Sequence, residues 1–146
     1  MRVQLSIAGL MLVAAFGFGC SKPALSGSRA KTYPVFGIIK VDGEPAEGVY
    51  VTCYPDKEVA ENKLPSGTIT AENGKFAFST YSANDGLPKG TYKLVFKWNE
   101  LGIGKTVDRL GGAYAKAAKS KFEFVVGNES SVDLGVIELS KTVSKK

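Results

Sequence analysis

The stretch Gly90-Thr-Tyr-Lys-Leu-Val-Phe-Lys-Trp98 decides the fold. Side chains alternate across a strand, so Tyr92, Leu94, Phe96 and Trp98 share one face while Lys93 and Lys97 lie on the other. That is a half-buried β-strand with an apolar face four residues long. The same period continues outward in both directions. Tyr33 to Val41 puts Val35, Ile39 and Val41 on one face, and Asp42-Gly43 closes the run with a turn signal. Gly48 to Tyr54 turns Val49, Val51 and Cys53 inward before Pro55 ends it. Ser66 to Ala71 is a short strand around Ile69. Asn73-Gly74 reads as a hairpin turn into Lys75 to Thr80, where Phe76 and Phe78 share a face. Lys121 to Val126 groups Phe122, Phe124 and Val126. Val132 to Leu139 completes the set, with Gly135 placed for a bulge.

Seven short alternating strands separated by Gly, Asn, Asp and Pro predict an all-β, seven-stranded Greek-key β-sandwich. A parallel α/β sheet is disfavoured, because no crossover is long enough. Asn99 to Ser120 is a long connection, and Ala113 to Lys119 has the Ala and Lys content of a short helical turn. Long loops on rigid scaffolds often carry binding, so 99–120 is the candidate functional loop.

The chain has 146 residues, 44% hydrophobic and 23% charged, with a net charge of +5. That suits one globular domain with terminal extras. Histidine is absent, which removes the commonest general base and the commonest neutral metal ligand. A Ser-His-Asp or Cys-His arrangement is therefore impossible. Two cysteines cannot build a Cys-rich zinc site. Leu101-Gly-Ile-Gly-Lys-Thr106 is no phosphate loop, since Asn99 stands where the motif needs glycine. The acids Asp42, Glu44, Asp85 and Asp133 fall at turns and strand edges, where they stabilise turns. A Lys-to-Asn isopeptide has Lys40 and Asn128 as its candidates, and the surrounding motifs are missing. No catalytic residue, metal or cofactor is implied, and the expectation is that the protein is not an enzyme. Nucleic-acid binding is a poor fit, because Tyr92, Phe96 and Trp98 lie on the core face rather than in a basic groove.

The N-terminus says where the protein goes. Residues 1–20, Met-Arg-Val-Gln-Leu-Ser-Ile-Ala-Gly-Leu-Met-Leu-Val-Ala-Ala-Phe-Gly-Phe-Gly-Cys20, carry one charge, Arg2, then an apolar run too short to span a bilayer. This is a secretory signal. Cys20 directly after it resembles the lipobox of bacterial lipoproteins, with Gly19 at the small position before the cut, although Gly17 and Phe18 depart from that pattern. The resemblance implies lipidation of Cys20, and several acyl chains hold a protein to a bilayer far more firmly than one. Ser21 follows, not the Asp of an inner-membrane retention signal, which favours the outer membrane. Losing Arg2 lowers the net charge from +5 to +4.

The body carries a second resemblance. Its order is V-F-G-I-I-K-V-D-G-E-P-A-E-G-V-Y-V-T-C-Y-P, then S-G-T-I-T-A-E-N-G-K-F, then L-P-K-G-T-Y-K-L-V-F. This resembles carboxypeptidase-regulatory-like, or transthyretin-like, domains, and in particular the small secreted lipoproteins of planctomycete-type bacteria. The resemblance covers about Val35 to Leu139 and implies a prealbumin-like sandwich without catalytic residues. Cys53 departs from it, standing where that pattern has Phe, and reads as a buried thiol.

The expected organisation is a signal peptide at 1–19, a lipidated N-terminus and tether at 20–32, the sandwich at 33–140 and a basic tail at 141–146. The expected function is a membrane-tethered envelope lipoprotein whose sandwich is a structural or protein-interaction module. Its expected contacts are the membrane, through the lipid anchor, and envelope proteins or glycans. The alternative is a small-ligand or carbohydrate-binding module using the 99–120 loop, with Tyr114, Trp98 and Tyr81 as candidate contacts. Oligomeric state is left open by the sequence.

Overall fold

A computed structural model describes residues 29–56 and 65–141. Expectations for the signal peptide, Cys20, Ser21, most of the tether and the last lysines lie outside the described residues. Among those described, the chain is all-β. Its strands are β1 (Thr32–Tyr33), β2 (Val35–Val41), β3 (Glu44–Pro45), β4 (Tyr50–Pro55), β5 (Ser66–Ile69), β6 (Lys75–Ala77), β7 (Leu87–Pro88), β8 (Gly90–Lys97), β9 (Asn99–Gly102), β10 (Lys105–Asp108), β11 (Glu123–Val126) and β12 (Val132–Leu139). The seven longer runs expected from alternation are all present, as β2, β4, β5, β6, β8, β11 and β12.

They form two sheets face to face, the all-β sandwich that the alternation predicts. One sheet has the order β11-β8-β4-β5; in the other, β2 pairs with β12 on one side and with β3 and β6 on the other. In the first sheet β8 is central. Phe96 lies opposite Val51 and Leu94 opposite Cys53, all four pointing inward and buried. The facing layer is Val35, Ile39, Val41 and Leu139, each essentially without solvent contact. Burying such a side chain contributes about 1.5–3 kcal/mol, so this double layer is what makes the alternation of β8 a reliable guide to the fold.

Two local expectations are corrected. Asn73-Gly74 does not join a hairpin: β5 pairs with β4 and β6 pairs with β2, so this turn carries the chain from one sheet to the other. Only Gly74 of the two has a positive φ, 74°, and a Cβ there would lie 2.3 Å from the Ile39 carbonyl oxygen. The turn is pressed against the backbone of β2, with Ile39 N–H donating to Gly74 at 2.8 Å. A two-residue hairpin does occur at Asp42-Gly43, where both φ values are positive and β3 folds back on β2.

The second correction concerns 99–120. Its first half is ordered as a hairpin, β9 against β10, with Gly102 opposite Lys105 around the turn Ile103-Gly104. The anticipated helical turn shrinks to one 3-10 turn, Ala117–Lys119. One pairing was not anticipated: β2 and β12, the first and last long strands, run parallel. No helix is needed for that crossover, because the intervening chain builds the whole opposite sheet.

Candidate functional site

At the end of the sandwich where β8 finishes, the 99–120 connection is bolted to the body. Asp108 Oδ1 accepts the backbone N–H groups of Trp98 at 2.9 Å and Leu110 at 3.0 Å, and Oδ2 accepts that of Gly112 at 3.0 Å. Arg109 N–H donates to the Trp98 carbonyl at 2.7 Å, and the Leu110 side chain is fully buried. Trp98, half-buried, has the Arg109 guanidinium 3.7 Å from its ring centroid and the Lys141 ammonium at 5.1 Å. Arg109 also pairs with Glu100 at 3.8 Å. Tyr114 packs edge-on to Phe96 and tilted against Phe122, each ring pair 6.3 Å between centroids. It walls a cavity of about 320 Å³ together with Leu94, Ala113, Ser120 and Phe122.

Tyr81 sits at the other end. Its loop precedes β7 and the start of β8, and eight residues of strand span about 26 Å. The structure therefore brings Trp98 and Tyr114 to one end of the molecule and leaves Tyr81 apart. Tyr81 is exposed with the Arg29 guanidinium 5.5 Å from its ring. Its loop is organised by Asp85, whose carboxylate accepts the N–H groups of Thr80, Tyr81 and Ser82 at 2.6, 2.9 and 3.1 Å. Those donors, Thr80 first, hold the Asp85 carboxyl below its ordinary value.

A larger cleft, about 780 Å³, lies elsewhere, on the outer face of β6-β2-β12 and the adjoining edge of β5. Phe36, Ile38, Ile69 and Val136 line it, with Lys75, Asn84 and Asp133 as its polar contributors. Its origin is local. Inward Val35, Ile39 and Val41 leave Phe36 and Ile38 facing out. Gly135, at φ 65°, carries the expected bulge, after which the pairing of β12 with β2 shifts and Val136 is exposed. Reading the sequence for one apolar face missed this site. The signal was there in Val35-Phe-Gly-Ile-Ile39, which is apolar at both parities.

Cys53 is fully buried as a free thiol, and burial pushes it up from 9.0 to about 12. Among the described residues no three His, Cys, Asp or Glu side chains converge to hold a metal ion. Asn128 faces Lys89, which donates to its side-chain oxygen; Lys40 instead stands opposite Pro45 and Glu138 in its sheet.

No family model matches the chain, and no curated protein does. Two solved structures share features of the fold. The 5-hydroxyisourate hydrolase of Klebsiella pneumoniae is 22% identical over 73% of this chain and 90% of its own, with a TM-score of 0.43. A 9R-lipoxygenase from Cyanothece is 9% identical over 77% of this chain and 18% of its own, with a TM-score of 0.38. The likeness is one of fold and carries no substrate across. It does correct the expectation that the protein is not an enzyme: the first of these structures is itself an enzyme, so a body of this class does not exclude catalysis.

Proposed function

We propose that this is an exported envelope protein, lipid-anchored through Cys20, whose transthyretin-like sandwich serves as an interaction module. What carries the reading is the placement of Cys20 directly behind Gly19 and the short apolar run that begins the chain. Ser21 favours the outer membrane as the site of the anchor. Residues after Cys20 then tether the sandwich, and the apolar cleft of Phe36, Ile38, Ile69 and Val136 supplies a surface for a partner. The test is Cys20→Ala. Lipid labelling is lost in the variant and recovery in the membrane fraction falls; a wild type that incorporates no lipid label, or a variant that still incorporates it, overturns the tether. For the module, Val136→Lys removes envelope proteins captured by the wild type while the fold is retained.

A second reading has its own support. At about 780 Å³ the cleft falls within the size range of small-molecule sites, and its walls are apolar with few polar groups. On this reading the ligand is small and mainly apolar, and the Tyr114 cavity is an accessory site. Thermal-shift screening separates the two: a stabilising small molecule whose effect is abolished by Val136→Lys favours ligand binding, and capture of a protein favours the module.

A further inference from the structure

The β9–β10 hairpin leaves the body bare. Leu101 is 91% exposed and Ile103 fully exposed, one on each side of Gly102 at the hairpin tip. Val107, on β10, is also exposed. An isolated two-stranded hairpin is marginal in water, and large apolar side chains at its tip add nothing to its stability there. This hairpin is tied to the body at its base by Asp108, whose carboxylate accepts the N–H groups of Trp98, Leu110 and Gly112. A hairpin fastened at its base and presenting a solvent-exposed Leu and Ile has the form of a device whose tip is buried in something else.

The charges around it point to what that is. Glu100, the carboxylate of β9, is paired with Arg109. Asp108 is committed to backbone donors. Lys105, next to the turn, and Lys97, at the end of β8, are exposed and have no carboxylate partner among the described residues. An apolar tip flanked by Lys105, with Lys97 on the adjoining strand end, matches an anionic bilayer surface, where the side chains enter the acyl boundary and the ammonium groups meet headgroups.

We infer that the β9–β10 hairpin inserts Leu101 and Ile103 into the anionic surface of the bilayer to which the protein is tethered. The membrane in question rests on the tether reading above. The chain enters the body near the opposite end of β8, where Arg29 lies against Tyr81, and the nine residues from Cys20 to Arg29 reach about 30 Å when extended. That is close to the roughly 26 Å length of β8 alone, so both attachments meet one surface with β8 inclined to the bilayer rather than upright on the hairpin. Anchor and hairpin then fix the sandwich in two places and set its orientation, leaving the cleft on the β2 sheet at a defined angle to the membrane.

The test uses full-length processed protein reconstituted in vesicles of phosphatidylethanolamine and phosphatidylglycerol, with Ile103→Cys carrying an environment-sensitive fluorophore. Cys53 is buried and does not compete for the label. The expected result is a blue-shifted emission quenched by lipid-borne nitroxides, with Leu101→Ser in the same chain weakening the response about tenfold. Melting temperature stays unchanged, because the tip packs on nothing. Protein that stays with the vesicles while the label remains aqueous overturns the insertion and leaves the tether standing. A label found on Cys20 by peptide mass shows instead that the tether reading fails. The measurement is then repeated with Cys20→Ser and excess vesicles, where a blue shift upholds insertion and an aqueous signal overturns it. A shift produced only by envelope proteins, and not by lipid, also overturns it.

Discussion

The Tyr114 hydroxyl accepts the backbone N–H of Ser140 at 3.1 Å. That bond ties the middle of the β8–β11 connection to the residue following β12, and so links the two sheets at one end of the sandwich. Phe96 N–H donates to the Tyr114 carbonyl at 3.0 Å, adding a second tie from the same residue to central strand β8. Tyr114→Phe keeps the ring packing and loses only the hydroxyl. The expected cost is about 1 kcal/mol, a fall of a few degrees in melting temperature by calorimetry. Tyr114→Ala, which also empties the ring contacts with Phe96 and Phe122, costs more.

Thr70 is a buried polar residue in an apolar core. Its hydroxyl donates to the Ala46 carbonyl at 2.6 Å and accepts the Val49 N–H at 2.9 Å. Thr70→Val keeps the shape and strands both backbone groups without water. Denaturant titration is expected to show a loss of about 2–3 kcal/mol. Thr70→Ser, which retains the hydroxyl, recovers most of it.

Alkaline pH destabilises the fold through Cys53. Burial raises the thiol from 9.0 to about 12, and burial likewise raises the Tyr92 hydroxyl from 10.0 to about 12. Groups with raised values contribute fully below their unfolded values, so stability declines as pH climbs from about 9 towards 12. The Cys53→Ala variant shows a shallower decline between about pH 9 and about pH 11 in urea unfolding. A thiol reagent is expected to leave Cys53 untouched in the native protein and to modify it in denaturant.

Asp85 works at the other pH extreme. Its lowered value means that its contribution is present above the ordinary 3.8 and disappears as pH falls through the lower folded value. Acidification therefore loosens the loop from Thr80 to Gly86 before the core strands respond. Amide exchange of Thr80, Tyr81 and Ser82 is the measurement, and Asp85→Asn brings the same loosening to neutral pH.

Period-two alternation in β2, β4, β8, β11 and β12 was sufficient for the all-β class and for most of the core, because burial of one strand face dictates which side chains are apolar. The turn at Asp42-Gly43 and the bulge at Gly135 were equally legible, being local matters of backbone conformation. Asn73-Gly74 was not: whether a turn pairs its own flanks or passes between sheets depends on which distant strand accepts each flank. The cleft escaped for a related reason. The run Val35 to Ile39 is apolar at both parities, which marks Phe36 and Ile38 as an outward apolar pair, but only the pairing of β2 with β6 and β12 gathers them with Val136 and Ile69. The attachment of residues 99–120 to the body likewise draws on Asp108, whose three partners converge only in the folded chain. The position of a single residue, such as Cys20 directly after an apolar run, is written in the sequence itself. Surfaces assembled from several strands are decided by tertiary pairing, because no local period records which strands become neighbours.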